Sequence, residues 1–152
     1  MKNYVAILLL SVLFVSFSCK KDKLVGDTAI LIGSWKWNNT TNVMNYCQAD
    51  SLWTYTVVDS TTNGYTYTIE FLEKGKVKFY HNDGLLFNQR LVIHETQVIN
   101  EPPYTLSFEF YINNNSDDVM AGKVGASDLR LYDFPKDTDT DCEEFFNAFT
   151  KE

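Results

Sequence analysis

The feature that most constrains the fold is an alternation of apolar and polar residues, clearest in YTYTIEFLEKGKVKFYHNDG between residues 65 and 84. A strand places successive side chains on opposite faces, whereas a helix repeats every 3.6 residues or so, and a period of two therefore predicts strands. The alternation stops at Lys74 and Gly75 and then resumes, which predicts a β-hairpin. One face of this hairpin would carry Tyr65, Tyr67, Ile69, Phe71, Val77, Phe79 and His81.

The same alternation continues in six further segments of the chain. They are residues 31–37, 52–59, 85–99, 104–112, 119–124 and 129–134. With the two strands of the hairpin they make eight short strands with mostly local connections, which favours an antiparallel meander. Because closure leaves no exposed sheet edge, we predict an all-β fold, an eight-stranded antiparallel up-and-down barrel. A two-sheet sandwich is the alternative that fits the same pattern.

A short C-terminal helix is predicted after the last strand. Asp141 is a good N-cap, and Glu144 three residues later completes a capping box at the positive end of the helix dipole. The helix would run to about Thr150 and pack one apolar stripe on the barrel. That stripe contains Cys142, Phe145, Phe146 and Phe149.

The N-terminus has the pattern of a secretory signal. Lys2 supplies a positive charge, Tyr4–Phe17 is apolar apart from two serines, and Cys19 follows directly after Ser18. A helix of that apolar length reaches about 21 Å, less than the roughly 30 Å of bilayer hydrocarbon, so it targets the chain without spanning the membrane. The segment resembles a bacterial lipoprotein signal, in which the cysteine becomes the first mature residue and is acylated. A plain secreted protein with a free Cys19 is the alternative.

This resemblance divides the chain into a signal peptide at 1–18, a tether at 19–28 and one domain at 29–152. Two or more acyl chains hold a protein stably on a bilayer, and a lipidated Cys19 therefore implies an anchor in the cell envelope, on the periplasmic or surface face of the outer membrane. Loss of Lys2 would leave 12 basic residues against 20 acidic ones, in a chain whose formal net charge is already −7. Such acidity argues against nucleic acid as a partner.

Two further cysteines, Cys47 and Cys142, lie in the predicted domain. An even pair outside the cytoplasm is best explained as a disulfide, which would close a long loop and contribute about 2 to 4 kcal/mol to stability. Two free buried thiols are the alternative. Zinc ligation is disfavoured, because no cysteine or histidine pair has the spacing of zinc ligands.

The segment LIGSWKW at residues 31–37 resembles the opening strand of lipocalins and of bacterial lipocalin-like lipoproteins, which begin with a Gly-x-Trp motif, here Gly33 to Trp35. YTIEFLEKGKVKFY resembles the central hairpin of that family, and DLRLYDF its last strand. The resemblance implies a barrel closed at one end by Trp35, with Arg130 packed on the indole through a cation–π contact. Core packing alone would also account for these side chains.

A lipocalin-like barrel implies a small apolar ligand between its walls. Polar residues that share a face with apolar neighbours are the natural specificity groups, namely Tyr67, His81, Gln89 and Glu95, followed by Trp53 and Tyr55. Each of these could instead be a rim residue or a satisfied polar group of the core. The alternative function is a non-enzymatic interaction module that presents residues 38–51 to an envelope protein or glycan.

An enzyme is the least favoured class of function. His81 and His94 are the two histidines, and their parity places them on different faces of the sheet. The chain has no nucleophile elbow and no phosphate loop. DTDTD at residues 137–141 begins like a calcium loop, but the sixth position is Cys142 and the twelfth is Ala148. We therefore expect no catalytic residue, no cofactor and no metal.

Overall fold

The computed structural model describes residues 23–44, 54–113, 115–134 and 143–152, and of residues 42–44, 54–56 and 143–144 it describes the backbone only. A 3-10 helix (Gly26–Leu31) precedes the first strand, and a four-residue helix, α1 (Ser60–Asn63), follows the second. The strands are β1 (Gly33–Met44), β2 (Thr54–Asp59), β3 (Tyr67–Leu72), β4 (Lys76–His81), β5 (Gly84–Glu101), β6 (Tyr104–Ile112), β7 (Met120–Val124), β8 (Asp128–Tyr132) and β9 (Glu143–Lys151).

Eight of these strands close into an antiparallel barrel. From β3 to β9 each strand pairs with the next one in sequence, and β1 closes the ring by pairing with both β3 and β9. The remaining strand, β2, pairs only with the far part of β1, from Asn39 to Met44, so the β1–β2 hairpin continues past the start of β3. The predicted all-β barrel is confirmed.

The predicted C-terminal helix is wrong, because residues 143–151 form strand β9. This strand pairs with β1 on one side and with β8 on the other, so it satisfies its backbone groups in two ladders. Burial alternates along it: Asn147 and Phe149 are buried, whereas Phe146 lies opposite Tyr132 on the outer face. A helix of that length is marginal by itself, whereas a strand here removes the free edges of β1 and β8.

The interior of the barrel is packed with large apolar side chains. In the β3–β4 hairpin, which the sequence predicts correctly, Ile69, Phe71, Val77 and Phe79 are at most 2% exposed. Burying each such side chain contributes roughly 1.5–3 kcal/mol, which makes this layer a main source of stability. The largest fully buried side chains are Trp35, Phe71, Phe79, Phe110, Phe149, Leu31, Ile69, Leu91, Leu129, Leu131, Val77 and Val124.

Register shifts interrupt strand β5 at three places: near Leu86, at His94 and between Val98 and Glu101. Phe79 lies opposite Phe87 but Tyr80 lies opposite Leu85, so the residue between them is an extra one in β5. A second shift occurs at His94, since Ile93 lies opposite Phe110 but Glu95 lies opposite Glu109. A bulge of one residue reverses the inward and outward positions that follow it. Uniform alternation along 85–99, as the sequence suggests, therefore does not hold.

One end of the barrel, which we call the base, is closed by the N-terminal segment. Leu24 and Leu31 are buried there, and the Leu24 amide donates to the Glu73 carbonyl oxygen at 3.1 Å. Trp35 Nε1 donates to the Leu31 carbonyl oxygen at 2.8 Å, which fixes the indole beneath the 3-10 helix. Leu24, within the segment 19–28 that the sequence predicts as a tether, is thus part of the packed structure.

The cation over Trp35 is Lys151 rather than the expected Arg130. Lys151 Nζ lies 5.0 Å from the Trp35 ring centroid and donates to the Ile30 carbonyl oxygen at 3.0 Å. Arg130 lies between two inward-facing leucines of β8, so its own side chain is on the outer face. There its guanidinium carbon lies 4.2 Å from the Phe146 ring centroid.

Candidate functional site

The candidate site is at the other end of the barrel, which we call the mouth. Antiparallel strands alternate in direction, so β1, β4, β6 and β8 end at the mouth, and β3, β5, β7 and β9 begin there. The β4–β5 connection at this end is a two-residue turn in which Asn82 and Asp83 both have positive φ. The Thr66 amide donates to Asn82 Oδ1 at 2.9 Å, and this bond ties the chain before β3 to the turn.

Four aromatic rings meet at the mouth, and we call them the mouth cluster: Trp37, Tyr65, Tyr67 and His81. Strand parity explains the set, because Trp37 follows Trp35 by two residues and Tyr67 lies opposite His81 in the β3–β4 register. The Trp37 and Tyr65 rings are stacked with centroids 5.7 Å apart. Tyr67 packs edge-on against both of them, at 5.4 Å from Trp37 and 5.1 Å from Tyr65.

His81 completes the mouth cluster, and the environment of one of its ring nitrogens is unusual. Its imidazole lies 5.4 Å from the Tyr65 ring, edge-to-face, and 5.2 Å from the Tyr67 ring. His81 Nε2 is buried and has no hydrogen-bond partner in the part of the chain that the structure describes. A buried nitrogen without a partner costs roughly 1–3 kcal/mol, and an N–H···π contact to Tyr65 would recover only part of that cost.

The mouth cluster rests on a layer of phenylalanines. Phe79 stacks under Tyr67 with centroids 5.1 Å apart and is itself stacked on Phe87 at 5.3 Å. Phe134 packs edge-on against Phe87 at 5.9 Å and against Phe110 at 5.5 Å. Phe87 is partly exposed, whereas Phe79 and Phe110 are fully buried. The mouth cluster therefore packs on a layer of mostly buried phenylalanine side chains.

A polar edge beside the cluster joins β1 to β9. Trp37 Nε1 donates to Thr40 Oγ1 at 3.1 Å, and the Thr40 hydroxyl donates in turn to Asn147 Oδ1. Asn147 is 5% exposed, and its Nδ2 donates to the Phe134 carbonyl oxygen at 2.7 Å. The chain of bonds fixes the Trp37 indole and leaves its face towards Tyr65. Within the described residues, both polar atoms of the buried Asn147 side chain therefore have a hydrogen-bond partner.

The structure brings together some of the residues that the sequence suggests for ligand binding and separates others. Tyr67 and His81 are neighbours in the mouth cluster. Gln89 lies opposite Val77 on the inward face of β5, one layer closer to the base. Glu95 lies opposite Glu109 on the outer face, because the bulge at His94 reverses the parity of β5. Trp53 lies outside the described residues, and Tyr55 is described by its backbone only.

Sequence reasoning missed two members of the cluster as site residues, Trp37 and Tyr65. Both could have been found from the period of two, since each is two residues from an inward-facing aromatic residue. What the pattern cannot give is the end of the barrel at which a side chain lies. That depends on which strands are neighbours, and hence on closure through β9.

Two cavities lie away from the mouth cluster. One of about 240 Å³ lies between Leu24 and the part of β5 from Leu91 to Thr96. The other, of about 210 Å³, is on the outer face where Ser107 and Ala121 are small, between Glu109 and Tyr132. Neither is lined by a residue of the mouth cluster.

An outer-face ion pair, Lys78 with Glu70, braces the β3–β4 hairpin below the cluster. Lys78 Nζ lies 2.8 Å from Glu70 Oε2, and the Tyr80 hydroxyl donates to the same oxygen at 3.2 Å. The hydrogen bond from Lys78 is the main reason that the pKa of Glu70 lies below its ordinary value. Because the pair is on the outer face, it supports the hairpin without entering the barrel interior.

Several predicted features involve residues that the structure does not describe. Cys19, Cys47 and Cys142 lie outside the described residues. Among the residues that are described, no group of three or more His, Cys, Asp or Glu side chains could hold a metal ion, and no helix is long and apolar enough to cross a bilayer. Comparison of the chain with family models, with curated proteins and with solved structures gives no match.

Proposed function

We propose that this chain is a binding protein whose barrel takes a small apolar ligand at the mouth cluster. The observation that carries the proposal is the buried His81 Nε2, which has no described partner although it lies among partly exposed aromatic rings. Buried polar atoms in folded proteins are nearly always hydrogen-bonded, so an exception at an accessible aromatic site points to a missing partner. A ligand with a polar group beside an apolar body would supply both the hydrogen bond and the ring contacts.

The site suits such a ligand because its walls are already in place. Ligand sites combine aromatic surface with a few fixed polar groups, and here the indole is fixed through Thr40 and the imidazole by its register opposite Tyr67. Offset or edge-to-face contacts add roughly 0.5–1.5 kcal/mol per aromatic pair beyond burial of area. With two or three such contacts, a ligand of ten to fifteen heavy atoms or so would bind in the micromolar range.

Titration with Nile red, a neutral dye that fluoresces in apolar sites, tests this proposal. We expect saturable binding to the parent and a loss of at least tenfold in affinity for Tyr65→Ala, which removes the stacking partner of Trp37. The matched control is Tyr132→Ala, since Tyr132 is a partly buried tyrosine on the outer face, where its ring packs against Phe146 and not against the mouth cluster. Absence of saturable binding to the parent, or an equal loss in both variants, would contradict the proposal.

A second candidate function uses the β1–β2 hairpin. Strand β2 pairs with β1 alone among the described strands, so it lies outside the closed ring, while the same part of β1 also pairs with β9. Residues 38–51, which include the outer half of β1, could present a surface to an envelope protein or glycan. Exchange of residues 45–51 for a Gly-Ser linker would then abolish capture of a partner from envelope extracts and leave Nile red binding unchanged. The ligand proposal is contradicted if this exchange leaves capture of the partner unchanged and abolishes Nile red binding.

We also propose that the protein is anchored in the envelope membrane through a lipidated Cys19, as its N-terminal resemblance implies. The hydrogen bond from Leu24 to Glu73 holds the chain at the base, and Lys23 is four residues from Cys19. An anchored molecule would therefore rest with its base towards the bilayer and its mouth away from it. In this orientation the mouth cluster is open to ligands of the aqueous compartment.

A disulfide between Cys47 and Cys142 is the third part of the proposal. Met44 lies opposite Glu143 in the β1–β9 ladder, so the two described chain ends next to these cysteines are neighbours. Cys142 directly precedes Glu143, and Cys47 follows Met44 by three residues. Three extended residues span about 10 Å at most, so Cys47 lies within about 10 Å of Met44. The register thus allows the bridge, which would join the β1–β2 hairpin to β9 at the mouth.

A further inference from the structure

We infer that the mouth selects an organic cation, an ammonium group carried on an aromatic or apolar body, over neutral and anionic ligands of the same shape. The inference rests on the proposed function of the mouth cluster and adds the charge of the ligand to it. Three observations lead to it: the distribution of charge along the barrel axis, the π faces of the cluster, and the free nitrogen of His81.

Charge is distributed unequally between the two ends of the barrel. The described connections and strand ends at the mouth contain aspartates but no lysine or arginine; the aspartates are Asp59, Asp83, Asp117, Asp118 and Asp133. The base carries both signs, with Lys23 and Lys74 near Asp27 and Glu73. Among the described residues this rim therefore carries negative charge, which raises the local concentration of cations.

Two of these aspartates are close in sequence to members of the cluster. Asp59 caps α1, which ends at Asn63, and Asn63 Nδ2 donates to the Tyr65 hydroxyl at 2.6 Å. Asp83 is in the turn directly after His81 and Asn82. Asp59 is held ionised, because a hydrogen bond from the Thr61 hydroxyl and others from Thr62 lower its pKa. Asp59 is therefore a fixed negative charge at the start of the short helix whose last residue contacts Tyr65.

The cluster itself favours a cation. Tyr65 and Tyr67 are half-buried at the mouth, and an ammonium within about 6 Å of the electron-rich face of such a ring is attracted to it. In the tautomer with its proton on Nδ1, His81 Nε2 is an acceptor, and an ammonium N–H is the donor it lacks. A carboxylate offers no proton to this nitrogen and is repelled by the rim. Fatty acids are accordingly poor candidates for this site.

A series of three ligands with one shared body tests the inference: naphthylmethylamine, naphthylmethanol and naphthoate. Their affinities for the full-length protein would be measured at neutral pH by quenching of tryptophan fluorescence and by calorimetry. We expect the ammonium ligand to bind about tenfold more tightly than the alcohol, and the carboxylate to bind at least about tenfold more weakly than the alcohol. These ratios should fall when ionic strength rises from about 0.01 M to about 1 M, which shortens the screening length from roughly 30 Å to roughly 3 Å.

Two charge-neutralising variants locate the effect. Asp59→Asn keeps a side chain that can cap α1, and Asp83→Asn keeps one that tolerates positive φ. Each should reduce the preference for the ammonium ligand over the alcohol by about twofold, and the pair by about fourfold, without changing affinity for the alcohol. The matched control is Asp128→Asn at the base, which should leave all three affinities unchanged.

The outcomes separate this inference from the proposed function. If none of the three ligands binds, the mouth is not a ligand site, and the proposal and the inference both fail. If the alcohol binds and the ammonium ligand binds no more tightly, the proposed function stands and the inference is overturned. It is equally overturned if Asp128→Asn lowers the preference as much as Asp59→Asn does, because the selectivity would then come from net charge and not from the rim.

Discussion

A close contact between Gly122 and Phe108 offers the sharpest test of how the barrel is packed. The two residues lie opposite each other on β7 and β6, and both face inward. A Cβ atom added to Gly122 would lie 2.4 Å from Phe108 Cζ and 2.8 Å from Cε1. Real Cβ atoms essentially never make such contacts. The phenyl ring therefore occupies the space that the side chain of any larger residue at position 122 would need. We predict that Gly122→Ala destabilises the fold by displacing this ring.

The magnitude follows from what the ring can do. Phe108 is 3% exposed and packs against Phe110 with centroids 5.6 Å apart, so little free space is available for a shift. Overpacking of this kind costs roughly 1–3 kcal/mol, and we expect about 2 kcal/mol here. In a domain of this size that loss lowers Tm by roughly 6–10 °C.

A double-mutant cycle with Phe108→Leu isolates the contact. Leucine lacks the Cε and Cζ atoms that would meet the new methyl group, so Gly122→Ala should be nearly neutral in the Phe108→Leu background. Urea unfolding of the four proteins should then give a coupling free energy of at least about 1 kcal/mol. Ala121→Ser, one residue away on the exposed outer face, should change stability by less than about 0.5 kcal/mol.

Additivity within about 0.3 kcal/mol would refute the reasoning, because it would mean that the methyl group and the ring do not compete for the same space. A stabilising Gly122→Ala would refute it as well. In that case the loss of chain entropy in the unfolded state would outweigh any clash.

Three further predictions concern the anchor, the disulfide and pH. Cys19→Ser should move a folded domain from the membrane to the soluble envelope fraction, and equal membrane partition of parent and variant would disprove lipidation. Peptide mapping without reduction should recover Cys47 joined to Cys142, whereas alkylation of both thiols in the unreduced protein would exclude the bridge. The Lys78 hydrogen bond lowers the pKa of Glu70 below its ordinary 4.5, so its stabilisation is present above that pH and is lost as pH falls through the folded-state pKa. Glu70→Gln should therefore flatten stability against pH below about 4.5, measured by thermal unfolding, and an unchanged slope would show that the pair is too screened to matter.

Local alternation was enough to predict most of the sheet. The β3–β4 hairpin forms where the period of two and the Lys74–Gly75 break indicate it, because both strands and their turn lie within twenty residues or so. The error at residues 143–151 has the opposite origin. Its capping signal is local, but its partners are β1, about a hundred residues earlier, and β8. Pairing on both edges outweighs a cap that is worth about 1 kcal/mol.

The candidate site shows the same division between local and non-local information. Parity alone places Tyr67 and His81 on one face, and the structure keeps them there. Parity also places Glu95 on that face, but the bulge at His94 moves it outside, and the sequence has no glycine or proline to mark the bulge. The predicted contact of Arg130 with Trp35 is absent for a related reason. Leu129 and Leu131 face inward, so Arg130 between them faces outward.

Strand β9 connects the error in the fold to the position of the site. Asn147 reaches Thr40 and the Phe134 carbonyl oxygen only because β9 lies between β1 and β8 with odd-numbered residues inward. As a helix packed outside, this segment would have left the Trp37 edge of the barrel open and the indole without its fixed hydrogen-bonded neighbour. Closure therefore does more than remove sheet edges, because it orients the ring on which Tyr65 stacks. The ligand site proposed here exists in the chain only once its last strand has joined its first.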